Sequence, residues 1–474
     1  MESPQTNNHE EIYAMSSISQ NASVTTEVSS AAAKFFKEFK VCKLLFKCNA
    51  GKEKGVPVMD IFRYLFTLIF SDRSMYMQIR TGTYEQDFCK NTVYRFLNCS
   101  RVNWQRFTTL LSSNIINMFM KPLTSEERKD VFIINDSLYD RSRSKKTELL
   151  ANVFDHCSMT FKRGYRMLTL GWSDGNTFVP VNHCLLSAAD DKNLICDAEK
   201  FDGRSLAGKR RKQSRRKATD VMVELLSSAM KAGISAKYVL FDTWFASPKT
   251  MIEIKNSLGL DTVAMLKKGE TKYLYNGESL DIKQIFSRNR KRRGRSKYLL
   301  SVEVTMKKNG ESIPARIVFV RNKSNKKDWL ALVSTDMTLP EEEIIRIYGK
   351  RWDIEVFFKS CKSYLGLVKE TRSTSYDALN AHTAIVFARY MMLAVESRRS
   401  EDERTICELF FVLVDELKDI SFSHSMKIIM TVLAEAVTAY FHITNSKAEE
   451  FMTIFIDSLP KYMSVALKMQ NQAG

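Results

Sequence analysis

The succession of apolar patterns between residues 131 and 266 constrains the fold of this chain more than any other feature of its sequence. Short apolar runs, each long enough for one strand, alternate there with longer helical patterns. Two of the runs flank the segment Ser-Asp-Gly-Asn at 173–176, which is typical of the turn of an antiparallel hairpin. The expected strands are 131–134, 167–172, 177–181, 238–241 and 262–266, and the expected helices are 218–231 and 248–258. This order predicts an α/β protein with a mixed sheet.

Two of the predicted strands end in an aspartate. Asp136 follows the first strand within the segment Asn-Asp-Ser, and Asp242 directly follows the fourth strand. Carboxylates at strand ends lie at the rim of a sheet, where loops open toward a ligand. We therefore expect the two carboxylates to meet in space if the sheet brings these strand ends together.

A third carboxylate, Glu355, lies on a helix predicted over residues 341–365. At about 100° per residue, the side chains of Tyr348, Arg351, Glu355 and Lys362 project along one narrow line of this helix. An apolar stripe beside the line, suited to packing against a core, consists of Ile347, Ile354, Phe358, Cys361 and Leu365. One carboxylate is thus held among groups that can contact phosphate. Taken alone, Arg351 and Glu355 could equally be a surface ion pair worth a few tenths of a kcal/mol.

Cleaving or joining a phosphodiester bond with divalent metal requires two or three carboxylates that converge on the ions. Mg²⁺ prefers such hard oxygen ligands. Asp136, Asp242 and Glu355 supply the set if the helix packs across the sheet. The nine cysteines and six histidines of the chain are dispersed without metal-ligand spacing, so we expect reduced cysteines and no structural zinc site.

The net charge of +18 on 474 residues indicates a polyanionic partner. Nucleic acid is the first candidate, and an anionic membrane surface is the second. The membrane alternative is weaker, because the most apolar early run, 56–70, contains Asp60 and Arg63 and is too short to span a bilayer. The N-terminus lacks the features of a secretory signal, so we expect a cytosolic protein.

Two basic runs favour contact with DNA. Residues 209–217 include seven Lys or Arg in nine, and residues 288–297 include seven in ten. A charge run is usually a solvated surface, but runs this dense on a strongly basic chain more often lie along DNA. The residues expected at this contact are Lys209, Arg210, Arg211, Arg215, Arg216, Arg292, Arg293 and Arg295.

The chain divides into four regions by composition and periodicity. Residues 1–33 are rich in small polar residues and are expected to form a flexible tail. Residues 34–125 are helical, and fit either a helix-turn-helix type DNA reader or a plain helical bundle that supports the next domain. Residues 126–375 carry the α/β pattern, with a β-rich insertion at about 267–336. Residues 376–474 are again helical.

The motifs around the three carboxylates resemble those of a known family. Asn-Asp136-Ser, Asp242-Thr-Trp-Phe-Ala-Ser-Pro and the Tyr-x2-Arg-x3-Glu-x6-Lys segment ending at Lys362 are similar to the three signature regions of bacterial insertion-sequence transposases of the DDE class. The insertion sequence four family is the closest group. The resemblance covers roughly residues 126–375. It implies a ribonuclease H-like mixed sheet with an inserted β-strand domain, flanked by the N-terminal and C-terminal helical regions.

The resemblance also implies roles for individual residues. Asp136, Asp242 and Glu355 would form a catalytic triad that binds two Mg²⁺ or Mn²⁺ ions. The residues implied to contact DNA phosphates near the cut are Tyr348, Arg351 and Lys362. Trp244 is similar in placement to an aromatic residue that these enzymes use near a displaced base, and stacking on a flipped base is chemically sensible. Core packing beneath the strand is an equally open alternative for Trp244.

The expected function is therefore DNA transposition. The enzyme would bind the ends of its own mobile element, cleave at the element boundary and join the freed 3′-hydroxyl to target DNA. By analogy we expect a homodimer on paired ends, in the cytoplasm of a bacterium and associated with its nucleoid. The alternatives are a related metal-dependent nuclease that cuts without joining, and a non-catalytic DNA-binding derivative of a transposase.

Overall fold

The computed structural model of the chain describes residues 31–71, 74–125, 128–155, 158–293, 296–322, 325, 328–399 and 430–458. The chain divides into two compact units. The larger comprises Ala31–Ile69 and Met75–Ile406, and the smaller comprises Met1–Ser30, Phe70–Ser74 and Cys407–Gly474. Of the flexible tail expected over 1–33, residues 1–30 lie outside the described residues, and the last three belong to the first helix.

A mixed sheet forms the centre of the larger unit. Its first six strands are β1 (Val131–Asp140), β2 (Ala151–Asp155), β3 (Thr160–Ser173), β4 (Phe178–Leu186), β5 (Tyr238–Phe241) and β6 (Asp261–Leu266). They lie in the order β4-β3-β1-β5-β6, with β2 paired to the start of β3. Strand β1 is antiparallel to β3 and parallel to β5, which is parallel to β6. The predicted mixed α/β sheet is confirmed, and its order is consistent with a ribonuclease H-like fold.

Strand β1 is longer than its apolar run predicts. The sequence pattern ends this strand at residue 134, but pairing with β3 continues from Val131 to Asp140. The parallel pairing with β5 ends at Ile133. Asp136 therefore lies inside a strand rather than after its end, at a point where β1 has a partner on one side only. The extra length depends on antiparallel pairing with β3, which the pattern of β1 alone does not contain.

The β-rich insertion extends the central sheet. Its strands are β7 (Lys272–Tyr275), β8 (Glu278–Asp281), β9 (Leu300–Lys308), β10 (Glu311–Arg321) and β11 (Trp329–Ser334). Strand β11 pairs antiparallel with β6, and the order continues β11-β10-β9-β7-β8. The insertion is thus hydrogen-bonded to the central sheet instead of forming a separate β-sheet. All five strands lie within the region of about 267–336 in which the sequence pattern is β-rich.

The N-terminal region is helical, as the periodicity predicts. Its helices are α1 (Ala31–Glu38), α2 (Val41–Lys47), α3 (Val58–Thr67), α4 (Met75–Thr81), α5 (Lys90–Leu97) and α6 (Trp104–Ile115). An aromatic core holds α1, α3 and α6 together, since the ring centroids of Phe36 and Phe66 lie 4.8 Å apart and those of Phe62 and Phe107 lie 5.6 Å apart. Burial of these rings stabilises the packing of the three helices.

Helices flank the sheet in the remainder of the larger unit. They are α7 (Leu206–Ser214), α8 (Ala218–Lys231), α9 (Pro248–Leu258), α10 (Ile282–Arg288), α11 (Glu341–Gly349), α12 (Trp352–Ser363) and α13 (Tyr376–Arg399). Helix α13 is the one helix among the described residues that is long and apolar enough to cross a membrane, but its apolar stretch is entirely buried in the protein. It is therefore a core helix, and it packs against α6 and β4.

The helix predicted over 341–365 is interrupted. Helix α11 ends at Gly349 and α12 begins at Trp352, with Lys350 and Arg351 between them. The ammonium group of Lys350 donates hydrogen bonds to the backbone carbonyls of Lys129 at 2.7 Å and Asp174 at 3.1 Å. Gly349, with its low helix propensity, is the sequence signal for this break.

The described part of the C-terminal region is helical. Beyond α13 it contains a helix over Met430–Phe441, α14, and a helix over Asn445–Ser458, α15. Both belong to the smaller compact unit. The other residues of the predicted C-terminal helical region, 400–429 and 459–474, lie outside the described residues.

Candidate active site

Asp242 connects the three predicted carboxylates electrostatically. It directly follows β5, is half-buried, and accepts a hydrogen bond of 2.9 Å from the backbone N–H of Trp244. Burial raises the pKa of Asp242, and the charges of Asp136 and Glu355 add to the rise. The backbone N–H of Trp244 and the guanidinium of Arg351 oppose it. Two strands and a helix that are far apart in the sequence therefore place their carboxylates in one electrostatic environment.

Asp136 has a basic partner that the sequence analysis missed. Nε of Arg166 on β3 donates a hydrogen bond to the carboxylate of Asp136, and the side chain of Asp136 is only 14% exposed. The guanidinium carbon of Arg166 also lies 5.2 Å from the ring centroid of Trp244. In the register of β1 and β3, Arg166 lies opposite Leu138, which places it on the same face as Asp136. That register is the signal that identifies Arg166.

Glu355, in the first turn of α12, is held from two sides. Nδ2 of Asn135 donates a hydrogen bond of 2.8 Å to Oε1 of Glu355, and Nη1 of Arg351 donates one of 3.1 Å to the same oxygen. Oδ1 of Asn135 accepts the backbone N–H of Asp136 at 2.9 Å. Asn135 therefore links the strand that carries Asp136 to the helix that carries Glu355.

The three carboxylates fit a divalent cation by their chemistry. Carboxylate oxygens are the ligands that Mg²⁺ and Mn²⁺ prefer. Among the residues that the structure describes, however, no three His, Cys, Asp or Glu side chains already converge as a ligand group. Asp136 is bonded to Arg166, and Glu355 is bonded to Asn135 and Arg351. Binding an ion therefore requires some of these side chains to exchange partners.

Comparison with known proteins identifies the family. A family model described as DDE superfamily endonuclease matches residues 67–318, which is more than half of the chain. This chain belongs to the DDE superfamily endonucleases. The matched segment contains Asp136 and Asp242 and ends before Glu355. No curated protein matches the chain.

Membership of the DDE superfamily endonucleases supports an enzyme of the nuclease or transposase type with DNA as its substrate. Enzymes of this superfamily are generally dependent on divalent metal. The carboxylates around Asp242 are the described residues in this endonuclease whose chemistry suits that requirement.

The other residues of the Tyr-Arg-Glu-Lys signature lie beside the carboxylates of this endonuclease. The guanidinium carbon of Arg351 lies 5.9 Å from the ring centroid of Tyr348, and burial raises the pKa of Tyr348 to about 12. Nζ of Lys362 donates a hydrogen bond of 2.6 Å to Oγ of Ser137. The ion pair between Arg351 and Glu355 does form, but the Arg351 side chain is 15% exposed, so the pair belongs to the site rather than to the open surface.

Trp244 projects from the site into solvent. Its side chain is 52% exposed, so the alternative of core packing beneath the strand is wrong. One neighbour of its ring is the guanidinium of Arg166, at 5.2 Å. Stacking of Trp244 on a base of the DNA stays a prediction.

The first basic run of the endonuclease divides into buried and exposed residues. Arg210 and Arg211 are buried in α7. Arg210 is paired with Asp377, and Arg211 is paired with both Asp377 and Glu148. The prediction of DNA contact is therefore wrong for Arg210 and Arg211, because their charges neutralise two buried carboxylates. The sequence pattern missed this because Glu148 and Asp377 are distant along the chain.

The rest of this run lies at the surface. Lys209 and Arg216 are exposed, and Arg216 is paired with Glu224. Arg215 is partly exposed and pairs with Asp191 while donating to the backbone carbonyl of residue 188 at 3.1 Å. These ion pairs leave the side chains at the edge of solvent, where contact with DNA stays a prediction.

The second basic run is also at the surface where the structure describes it. Arg292 and Arg293 are exposed, and the guanidinium carbon of Arg292 lies 4.1 Å from the ring centroid of Tyr298. Arg295 lies outside the described residues. Arg292 and Arg293 lie between the end of α10 and the start of β9.

Helix α5 presents an exposed polar face that the sequence analysis did not specify. Helix α5 begins at Lys90, with Cys89 at its N-cap. Thr92, Val93 and Phe96 are buried in the N-terminal region. The exposed residues on the opposite face are Lys90, Asn91, Tyr94, Arg95 and Asn98.

Proposed function

We propose that this DDE superfamily endonuclease is a DNA transposase of the insertion sequence four family. It binds the ends of its own mobile element, cleaves the phosphodiester bond at the element boundary, and joins the freed 3′-hydroxyl to target DNA. The observation that carries this proposal is that three acids lie on adjacent elements: Asp136 is on β1, Asp242 directly follows the neighbouring strand β5, and Glu355 is hydrogen-bonded to Asn135 of β1. A structural ion pair between Arg351 and Glu355 alone does not account for the aspartates on the two neighbouring elements.

The carboxylates Asp136, Asp242 and Glu355 would hold two Mg²⁺ or Mn²⁺ ions. Divalent ions at such a site activate the attacking oxygen and stabilise charge on the leaving oxygen. The protein positions the acids: β1 and β5 supply the aspartates from adjacent strands, and Asn135 fixes Glu355 against β1 at 2.8 Å. Preorganised groups of this kind contribute to catalysis because they need little rearrangement in the transition state.

Cationic and hydroxyl groups beside the acids would bind the DNA backbone. Arg351 and Lys362 lie on the two ends of α12, and Tyr348 lies at the end of α11. Their charges and donors suit the phosphates on either side of the cut. The ring of Trp244, which is 52% exposed, is proposed to stack on a displaced base.

The exposed basic residues would extend the contact with DNA beyond the cut. In the first run these are Lys209, Arg215 and Arg216, and in the second run they are Arg292 and Arg293. We further propose that the exposed face of α5 contacts the element ends, since Asn, Tyr and Arg side chains can reach base edges and phosphates. The excess charge of +18 supports a large polyanionic partner.

The proposed assembly is a homodimer on a pair of element ends, in the bacterial cytoplasm at the nucleoid. This part of the proposal rests on analogy with the insertion sequence four family. Short inverted repeats in the DNA that flanks the coding region would support it strongly, and their sequence would supply the substrate for the assays.

Cleavage of end DNA tests the proposed function. Full-length protein is incubated with linear DNA that carries the flanking sequences, with Mg²⁺, Mn²⁺ or EDTA. The wild type is expected to cut at the element boundary only with metal. Asp136→Ala, Asp242→Ala and Glu355→Ala should each abolish the cut while leaving end binding intact, and the exposed Glu270→Ala is the matched control. Full cleavage by Asp242→Ala would contradict the assignment of Asp242 as a catalytic residue.

The same samples distinguish the two alternatives. Addition of a circular target plasmid reports joining, because strand transfer attaches the labelled end to the plasmid. Products that are cut but never joined favour a metal-dependent nuclease. Binding of ends by the wild type without any cut, at every metal concentration, favours a non-catalytic derivative.

A further inference from the structure

Arg166 connects the carboxylate of Asp136 to the ring of Trp244. Its Nε donates to Asp136, and its guanidinium carbon lies 5.2 Å from the ring centroid of Trp244. The Nη2 atom of Arg166 is buried and has no hydrogen-bond partner among the described residues. A buried donor without a partner is costly in the absence of a ligand. The guanidinium of Arg166 can therefore donate a hydrogen bond to one more anionic or carbonyl oxygen.

The ion pair of Arg166 and Asp136 competes with metal binding. A cation bound to Asp136 would lie within a few ångströms of the guanidinium, and like charges at that distance repel strongly in a half-buried site. The side chains of Arg166 and Asp136 are 26% and 14% exposed, so water screens this repulsion only in part. An ion that enters the site must consequently displace Arg166 from Asp136.

Building on the proposed function, we propose that Arg166 is an exchangeable counter-ion. It neutralises Asp136 before metal enters, and it binds the DNA phosphate next to the base on Trp244 once a divalent cation takes that carboxylate. Arg166 is then a phosphate-binding residue of the active site, in addition to the residues of the Tyr-Arg-Glu-Lys signature.

The geometry around Arg166 suits this exchange. Its backbone is fixed in β3 by pairing with both β1 and β4, so that only the side chain moves. The ring of Trp244 attracts the guanidinium whichever anion Arg166 binds, since cation–π attraction does not depend on the anion. The planar fork of an arginine can bond a phosphate with two nitrogens, as it can a carboxylate. The positive charge that Arg166 contributes is therefore the same before and after the exchange.

Mn²⁺ binding without DNA tests the first half of the exchange. Full-length protein is titrated with Mn²⁺, and free Mn²⁺ is measured by electron paramagnetic resonance. Arg166→Ala should bind Mn²⁺ more tightly than the wild type by roughly three- to tenfold, because the competing cation is gone. Asp136→Ala should lose the tight site. The matched control is Arg163→Ala, an exposed arginine on the same strand, which should leave the affinity unchanged.

A second variant, Arg166→Lys, tests the same exchange if Arg166→Ala fails to fold. Lysine retains the charge but lacks the planar fork, so its Mn²⁺ affinity should fall between those of the wild type and Arg166→Ala. Thermal unfolding of each variant identifies any loss of structure. Equal or weaker Mn²⁺ binding by a folded Arg166→Ala protein overturns the proposal.

The salt dependence of DNA binding tests the second half. Affinity for end DNA is measured at several salt concentrations, with EDTA or with Ca²⁺, whose flexible coordination suits catalysis poorly. In Ca²⁺, the slope of log affinity against log salt should be about one unit less steep for Arg166→Ala than for the wild type. In EDTA the two slopes should agree, because Arg166 is still bound to Asp136. The exchange is contradicted if Arg166→Ala makes the slope less steep by the same amount in Ca²⁺ and in EDTA. It is also contradicted if the slopes of Arg166→Ala and the wild type agree in Ca²⁺.

Failure of the exchange and failure of the proposed function give different results. If the wild type never cuts end DNA, the transposase proposal fails, whereas the Mn²⁺ titration still reports on Arg166 and Asp136. If the wild type cuts and joins but Arg166→Ala binds Mn²⁺ no more tightly, the function stands and the exchange fails.

Discussion

Asn135 donates a hydrogen bond of 2.8 Å to Oε1 of Glu355 and accepts the backbone N–H of the adjacent Asp136 at 2.9 Å. Asn135 itself is buried, with 5% of the residue exposed. One amide group thus sets the distance between the strand that carries the first acid and the helix that carries the third. In the segment Asn-Asp-Ser, the residue directly before Asp136 therefore positions Glu355.

Asn135→Ala should reduce cleavage without weakening DNA binding. The substitution removes the donor to Glu355 and leaves Arg351 as its remaining hydrogen-bond partner, so the carboxylate is less well positioned. We expect a fall in the single-turnover cleavage rate of roughly tenfold or more, and a loss of about 1–3 kcal/mol in the free energy of unfolding. The exposed Asn152→Ala on β2 is the control. An unchanged rate for Asn135→Ala would show that Glu355 needs no support from β1.

Glu370 holds Arg389 at the centre of the larger unit. The carboxylate accepts hydrogen bonds from Arg389 at 2.6 and 2.9 Å, and Nε2 of His382 lies 3.0 Å from Oε2. Arg389 also donates to the backbone carbonyls of Phe66 on α3, at 2.9 Å, and Leu365, at 3.0 Å. Burial raises the pKa of Glu370, but the charge of Arg389 and these hydrogen bonds outweigh it and lower the pKa to about 2.

The lowered pKa of Glu370 predicts a loss of stability in acid. The ionised carboxylate stabilises the fold above its ordinary pKa of 4.5, and this contribution is lost as the pH falls through that value toward 2. Glu370→Gln should lower the free energy of unfolding at pH 7 by about 3–5 kcal/mol, since Arg389 is left as a buried, uncompensated charge. Urea unfolding between pH 7 and 3 should show the difference from the wild type narrowing in acid. A difference that does not vary with pH would contradict the assigned pair.

Arg211 and Arg216 belong to one basic run but should respond differently to substitution. Arg211→Ala leaves Glu148 and Asp377 short of a buried partner and should cost about 3–5 kcal/mol of stability. Arg216→Ala should leave stability within about 0.5 kcal/mol and make the salt dependence of DNA binding about one unit less steep. Thermal unfolding and salt-dependent binding measure the two effects. If Arg211→Ala weakens DNA binding while stability is unchanged, Arg211 contacts DNA and is not a buried structural partner of the two acids.

The exposed face of α5 should contribute to recognition of element ends. Arg95→Ala is expected to weaken binding to end DNA by about 1–3 kcal/mol if the side chain reads a base, and by a similar amount on every sequence if it contacts phosphate. Binding to end DNA and to a scrambled duplex distinguishes the two. The control is Lys47→Ala, an exposed cation on α2. If both substitutions have the same small effect, α5 supports the fold and does not contact DNA.

The sequence could indicate those parts of the site that depend on local pattern. Asp242 follows a run of four apolar residues, so its position after β5 required no knowledge of the rest of the fold. Glu355 was expected beside an apolar stripe, and its neighbours Ile354 and Phe358 are indeed buried. The mixed sheet followed from the order of strands and helices, because few topologies satisfy such an order.

The remaining parts depend on contacts between distant segments. Arg166 reaches Asp136 only through the register of β1 and β3, and no property of residue 166 alone marks it as part of the site. Arg210 and Arg211 resemble the exposed members of their run, and their partner Asp377 lies on α13, more than a hundred residues away. A run of basic residues predicts a positively charged surface. The acidic partners of its individual residues are evident only once the chain is folded.

The pairing of β6 with β11 has a mechanical consequence for bound DNA. The strand that precedes Asp242, β5, and the strand that follows Arg292, β9, belong to one sheet, because peptide hydrogen bonds connect β5 to β9 through β6, β11 and β10. Four strand spacings of about 4.8 Å give a width of roughly 19 Å between them. A duplex that reached from one residue to the other would extend over about five or six base pairs at 3.4 Å each. The extended sheet would then fix the distance along the DNA between the cut and the contact made by the second basic run.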